Sequence, residues 1–131
     1  MSKLVNEGET RIGQILFGSQ LVDSNLYLGI YLNSTEPSET ATLTDITEVS
    51  LGNGYARVVL SRGSWVITGD TAEYAKQTFV ASGGNWGNCV GYFIATSTDN
   101  TGILLFVENF SQVFMMTNGN SCEITPRIRV A

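Results

Sequence analysis

Alternation of apolar residues with a period of two is the sequence feature that most limits how this chain can fold. In the segment from Leu26 to Leu32, aliphatic side chains occupy every second position, and Tyr27, Gly29 and Tyr31 fill the positions between them. Because successive side chains of a strand point to opposite faces of a sheet, this pattern predicts a half-buried β-strand.

Further short β-type runs follow at close intervals. They are Tyr55 to Leu60, Ser64 to Ile67, Gln77 to Ala81, Cys89 to Thr96, Ile103 to Asn109, Gln112 to Met116 and Ser121 to Val130. Glycine- and asparagine-rich turn signals separate several of them: Gly52-Asn53-Gly54, Ser82 to Asn85, Asp99 to Gly102 and Asn118 to Asn120. With 14 glycines and only two prolines, the chain is predicted to be mainly β, an antiparallel, jelly-roll-like sandwich. Pro126 inside the last run indicates an edge strand or a bulge.

One segment has helical spacing instead. Between Glu9 and Ser19, apolar residues from Ile12 to Phe17 recur near every third and fourth position, acidic Glu7 and Glu9 stand at the start, and Gly18 offers a stop. Negative charge at a helix N-terminus is favourable, so a short helix of two to three turns is predicted.

The segments between the strands indicate one domain over residues 1–131, with residues 1–20 forming an N-terminal arm plus the helix. Asn33 to Thr44 is rich in Ser, Thr and Glu around Pro37 and predicts an exposed loop. Asp45 to Ser50 is predicted to form one helical turn capped by Asp45, with Glu48 three residues on.

Composition excludes several classes of partner. Hydrophobic residues make up 43% of the chain, enough to fill a core. The net charge of −5, from 12 acidic and 7 basic residues, disfavours a nucleic-acid partner. No apolar run approaches the roughly 20 residues of a membrane span, and no apolar region follows Lys3 as in a signal peptide, so we expect no membrane partner and synthesis in a host cytoplasm.

The chain contains no histidine, and this removes much of the catalytic repertoire. Serine and cysteine nucleophiles with an imidazole base are excluded, as are histidine-based metal sites. Glycoside hydrolysis needs only two carboxylates, but nothing in the spacing of Asp70, Glu73 and Glu108 selects a pair, and solvated surface acids are the favoured interpretation. We therefore predict no enzyme, no cofactor and no metal.

The two cysteines, Cys89 and Cys122, lie in strand-like stretches. They could form a disulfide between strands or remain buried thiols that pack as small apolar residues. Cytoplasmic synthesis favours the thiols.

The aromatic residues suggest two roles. Trp65 and Trp86 could form a stacking platform for sugars, but packing in the core or at an interface is favoured. Gly83 to Gly87 looks like a phosphate-binding loop, yet it lacks the required Lys and does not lead into a helix, so a hairpin turn is predicted.

Four segments together resemble a family of small virion proteins of tailed bacteriophages, capsid cement or decoration proteins with an N-terminal Asn-Glu-Gly-Glu. The four segments are Asn6-Glu7-Gly8-Glu9; Leu43 to Glu48 with Gly54-Tyr55-Ala56; Gly91-Tyr92-Phe93; and Glu123 to Ile128. In that family similar signals occur in the same order at similar spacing, and the likeness covers nearly the whole chain.

The resemblance implies a structural protein on the exterior of the capsid that binds the major capsid protein and copies of itself, as a trimer. A tail, baseplate or fibre component, with a carbohydrate-binding role, is the alternative. No catalytic or cofactor residue carries over. The candidate interface residues are Asn6, Glu7, Glu9, Trp65 and Trp86. The Asn6–Glu9 segment could be an arm that docks on a neighbouring subunit or a helix N-terminus that closes one end of the sandwich.

Overall fold

The computed structural model of the protein describes residues 3–129 and is mainly β, with antiparallel sheets and a helix near the N-terminus, as the sequence predicts. The helix α1 spans Asn6–Phe17. The strands are Lys3–Leu4 (β1), Asn25–Tyr31 (β2), Val58–Ser61 (β3), Val66–Thr68 (β4), Thr71–Glu73 (β5), Gln77–Val80 (β6), Gly87–Ala95 (β7), Leu104–Met116 (β8), Ser121–Ile124 (β9) and Arg127–Arg129 (β10). That residues 1–131 form a single domain stays a prediction, and residues 1, 2, 130 and 131 lie outside the described part.

A five-stranded sheet in the order β1-β8-β7-β2-β3 is the centre of the fold. The long β7–β8 hairpin forms its middle, and β2 pairs with β7 so that Gly29 lies opposite Phe93. A three-stranded sheet, β10-β5-β4, and a two-stranded sheet, β6-β9, complete the described strands.

Both faces of the five-stranded sheet are covered in its central part. On one face, Leu28 and Ile30 of β2 belong to a cluster that includes Phe79 and Ile128 of the smaller sheets. On the other face, the fully buried Tyr31 belongs to a second cluster with Ala41 and Leu43 of the following loop. The arrangement is sandwich-like, and the prediction that β2 is only half-buried is wrong, because the loop covers its second face.

The loop after β2 is not simply exposed, in contrast to the prediction for Asn33 to Thr44. Its Ser, Thr and Glu side chains mostly face solvent, whereas Pro37, Ala41 and Leu43 are buried. A 3₁₀ turn at Leu43–Asp45 fixes this cover, and the Asp45 carboxylate accepts the backbone N–H of Thr42 at 2.9 Å. The helical turn predicted for Asp45 to Ser50 is wrong, because Glu48 forms a β-bridge with Tyr31 and the chain there is extended.

Several strand limits also differ from prediction. The helix begins at Asn6, three residues early, and the two runs from Ile103 to Met116 form the single strand β8. The last run is divided at Pro126 into β9 and β10, since proline cannot donate to a ladder, and β10 is an edge strand as Pro126 indicates.

Cys89 and Cys122 are free, buried thiols, which confirms the favoured interpretation. Burial raises the pKa of Cys89 to about 12 and that of Cys122 to about 11. At pH 8 a thiol with a pKa of about 12 is only about 10⁻⁴ thiolate, and the thiolate is the reactive form. We therefore expect both cysteines to resist iodoacetamide at pH 8 in the native protein and to react rapidly in urea, as measured by mass spectrometry. Rapid labelling of the native protein would contradict this packing.

Candidate functional site

The N-terminal segment is clamped to the protein's own sheet. Lys3 pairs with Val107 of β8, the buried Val5 donates its backbone N–H to the Leu105 carbonyl at 3.0 Å, and Asn6 donates to the Glu39 carbonyl at 2.8 Å. Asn6 to Glu9 is therefore the first turn of α1, which supports the helix N-terminus rather than a docking arm. The side chains of Asn6 and Glu9 are exposed, whereas Glu7 is half-buried.

Gly8 explains why this turn contains a glycine. It is the buried residue of α1, and a Cβ atom at this position would lie 2.6 Å from the Leu105 carbonyl oxygen. Because that oxygen belongs to the backbone of β8, it cannot rotate away. Close approach of the helix to the sheet therefore requires glycine here.

Gly8→Ala should lower the free energy of unfolding by about 1–3 kcal/mol, because the helix must shift from β8 even though alanine is the better helix former. Gly13→Ala is the matched control, since it lies in the same helix with nothing within 4 Å of the added Cβ. The control should stabilise the protein by up to about 1 kcal/mol. Urea unfolding followed by circular dichroism measures both, and equal effects would contradict the close packing of Gly8.

The two tryptophans have different environments. Trp86 is only 6% exposed, contacts Tyr55 edge-on at 5.3 Å and donates its indole N–H to the Asn53 carbonyl at 2.8 Å. It is a core residue, so the structure does not place it at an interface or in a sugar platform. Trp65 is half-buried and packs edge-on against Tyr74 at 5.2 Å.

Trp65 forms one wall of an apolar cavity of about 240 Å³, here called the side cavity. Its other walls include Ile12 and Ile15 of α1, Leu26 of β2 and Phe106 of β8. The ion pair between Arg11 and Asp23, 3.0 Å from Nη1 to Oδ1, lies at the cavity and ties the helix to the segment before β2. This ion pair therefore helps to hold the helix side of the cavity against the rest of the protein.

Next to the side cavity, the end of α1 exposes a group of apolar side chains, here called the helix-end patch. It consists of Leu16, Phe17, Leu21 and Val22, which are 67%, 89%, 83% and 48% exposed. Val22 also lines the side cavity, so the two features join. Sequence reasoning grouped Leu16 and Phe17 with Ile12 and Ile15, but only the latter two line the cavity beside the sheet. The signal that could have separated them is Gly18, which ends the helix directly after Phe17.

The carboxylates considered for glycoside hydrolysis are each engaged. Arg129 binds Asp70 at 3.0 Å and holds the pKa of that carboxyl below its usual value. Arg127 binds Glu73 at 2.6 Å, and Tyr92 donates its hydroxyl to Glu108. Within residues 3–129, no three acidic or cysteine side chains lie close enough together to hold a metal ion, and no helix is long and apolar enough to cross a membrane.

Comparison with protein families finds a match that covers residues 5–127, nearly all of the chain. The matching family is described as podophage GP4 fiber I protein gp80. No curated protein matches the chain. The chain therefore belongs to the podophage GP4 fiber I protein gp80 family and is a structural protein of a bacteriophage virion.

Proposed function

We propose that this protein is a non-enzymatic fibre component on the outside of a tailed-phage particle, where it assembles with copies of itself. The observation that carries the proposal is the family match over residues 5–127, whose description names a fibre protein. This favours the fibre alternative over the capsid cement protein that the resemblance placed first. The major capsid protein as a partner, and a trimeric state, remain predictions.

The engagement of its acidic groups supports a non-enzymatic role. A glycosidase needs one carboxylic acid with a raised pKa to protonate the leaving group. Arg129 has the opposite effect on Asp70, whose pKa is lowered, and Glu73 is held by Arg127. With no histidine in the sequence, no imidazole can take over the proton transfer.

The fold also suits a mechanical role. The central part of the sheet has a packed core on each face, and the clamped N-terminal helix presents its apolar end to the outside. Exposed apolar patches of this kind commonly mark protein interfaces.

A phage that lacks this protein separates the fibre role from the cement role. For a fibre component, the mutant particles should package DNA and lose DNA from the capsid at the wild-type temperature, but lack a fibre in electron micrographs. A cement protein predicts the reverse: intact fibres and capsids that open at a lower temperature. The second pattern would overturn the proposal.

A further inference from the structure

The helix-end patch is an apolar surface that the fold of one chain leaves uncovered. Leu16, Phe17 and Leu21 lose little surface to neighbouring residues, since they are 67%, 89% and 83% exposed. Together with Val22 they offer on the order of 400 Å² of apolar surface, which is the size of the largest apolar patch on a typical soluble monomer, and such patches are often functional. This is about half of the roughly 800 Å² that each partner buries in a standard interface, and the side cavity adds to it.

Patch and cavity are complementary in shape and chemistry. Phe17 projects from the last position of α1 and is the most exposed of the large apolar side chains described. The side cavity holds about 240 Å³, and a cavity of about 150 Å³ is large enough for benzene. Its walls are mainly aliphatic and aromatic, so an inserted phenyl ring would bury apolar surface against them. A projection and a matching recess are therefore carried on the same side of one chain.

Other occupants fit less well. A sugar requires several converging hydrogen-bonding groups, whereas seven of the ten residues that line this cavity are apolar and, of its three charged residues, Arg11 and Asp23 bind each other. A lipid surface would take up exposed apolar side chains, but it supplies no shaped group that fills the side cavity. A second copy carries both the projection and the recess. In a symmetric pair, each Phe17 can therefore enter the side cavity of the other copy.

We propose that two copies of this protein associate through this surface, with Phe17 of each inserted in the side cavity of the other. This inference adds to the proposed function. It rests on the proposed function only in placing the association within a fibre. It names the surface through which neighbouring copies meet.

The test uses the full chain and two complementary variants, measured by analytical ultracentrifugation. Phe17→Ala removes the projection and leaves the cavity, whereas Ile15→Trp fills the cavity and leaves the projection. Wild type should self-associate below about 100 µM, and each variant alone should associate at least about thirty-fold more weakly. An equimolar mixture of the two variants should regain association, because one intact projection then meets one intact cavity.

Leu51→Ala is the control, since Leu51 is 74% exposed outside the patch, and its association should equal that of wild type. Ile12→Trp is a second cavity-filling variant in case Ile15→Trp melts at a lower temperature than wild type. A monomeric wild type, unchanged association of Phe17→Ala, or a mixture no stronger than its parts would overturn the inference. A monomer in solution would leave the virion phenotype described above unaffected, so the two failures are distinguishable.

Discussion

Replacing Arg57 with methionine is expected to lower the free energy of unfolding by about 3 kcal/mol, because it breaks a buried ion pair and leaves its partners unsatisfied. The Arg57 side chain is only 2% exposed. Its guanidinium donates two hydrogen bonds to the Glu48 carboxylate, at 2.9 and 2.8 Å, and also binds the carbonyls of Ser97 and Asp99, each at 2.9 Å. It further lies 5.0 Å above the Phe93 ring.

Arg57 thereby joins three separate parts of the chain. Glu48 also accepts a hydrogen bond from the Tyr55 hydroxyl. The oxygen of that hydroxyl accepts a hydrogen bond from the backbone N–H of Ile30 in β2 at 3.0 Å. Losing the guanidinium would free the loop that contains Ser97 and Asp99 and weaken the contact of Glu48 with the sheet. Removing one member of such a network lowers the free energy of unfolding by more than the sum of its individual hydrogen bonds suggests.

Lys76→Met is the control for Arg57→Met. Lys76 pairs with Glu123 at 3.1 Å, but the two side chains are 57% and 56% exposed, so the control should cost less than about 0.5 kcal/mol. Urea unfolding monitored by tryptophan fluorescence measures both variants. Similar costs for the two would mean that burial does not strengthen the Arg57 pair.

Gly91→Ala is expected to have the second large effect, a loss of about 3 kcal/mol or failure to fold. A Cβ atom at Gly91 would overlap the Glu108 carbonyl oxygen of the neighbouring strand and the Tyr31 hydroxyl. That hydroxyl donates to Asn109 across the sheet, and Tyr31 is fully buried, so neither group can move aside cheaply.

Gly63→Ala provides the comparison for Gly91→Ala. Gly63 has a φ of +91° but nothing within 4 Å of the added Cβ, so alanine there should cost only the backbone strain, about 1 kcal/mol. The soluble yield and the melting temperature of the two variants are to be compared. If Gly91→Ala is as stable as Gly63→Ala, the central hairpin is less tightly packed than described.

The motifs that carry the resemblance therefore have physical roles in the fold. Gly8 lets the helix approach β8, Gly91 lets Tyr31 cross β7, and Gly54 turns the chain with a φ of +86° before Tyr55 enters the core. A set of such requirements defines a particular packing of helix, loop and sheet. It does not by itself distinguish a fibre component from a capsid cement protein, because packing within one chain accounts for these residues.

Local signals allowed most of the strands and turns to be predicted, but not β1 or β5, and partners in space could not be predicted. The alternation in β2 and the positive φ angles of Gly52, Asn53 and Gly54 follow from neighbouring residues alone. The burial of Leu43 and Trp86 depends on which distant surface covers them, and a polar-looking loop gives no sign of that. Phe17 was missed for the same reason, since periodicity cannot tell a side chain that faces its own core from one that faces a partner.

Labelling the protein in the intact virion tests the central claim most directly. A peptide tag inserted at the exposed Gly69 in the turn between β4 and β5, detected with gold-coupled antibody by electron microscopy, should place gold along fibres, in several copies for each fibre. Gold spread evenly over the capsid surface would contradict the fibre assignment and restore the capsid cement interpretation.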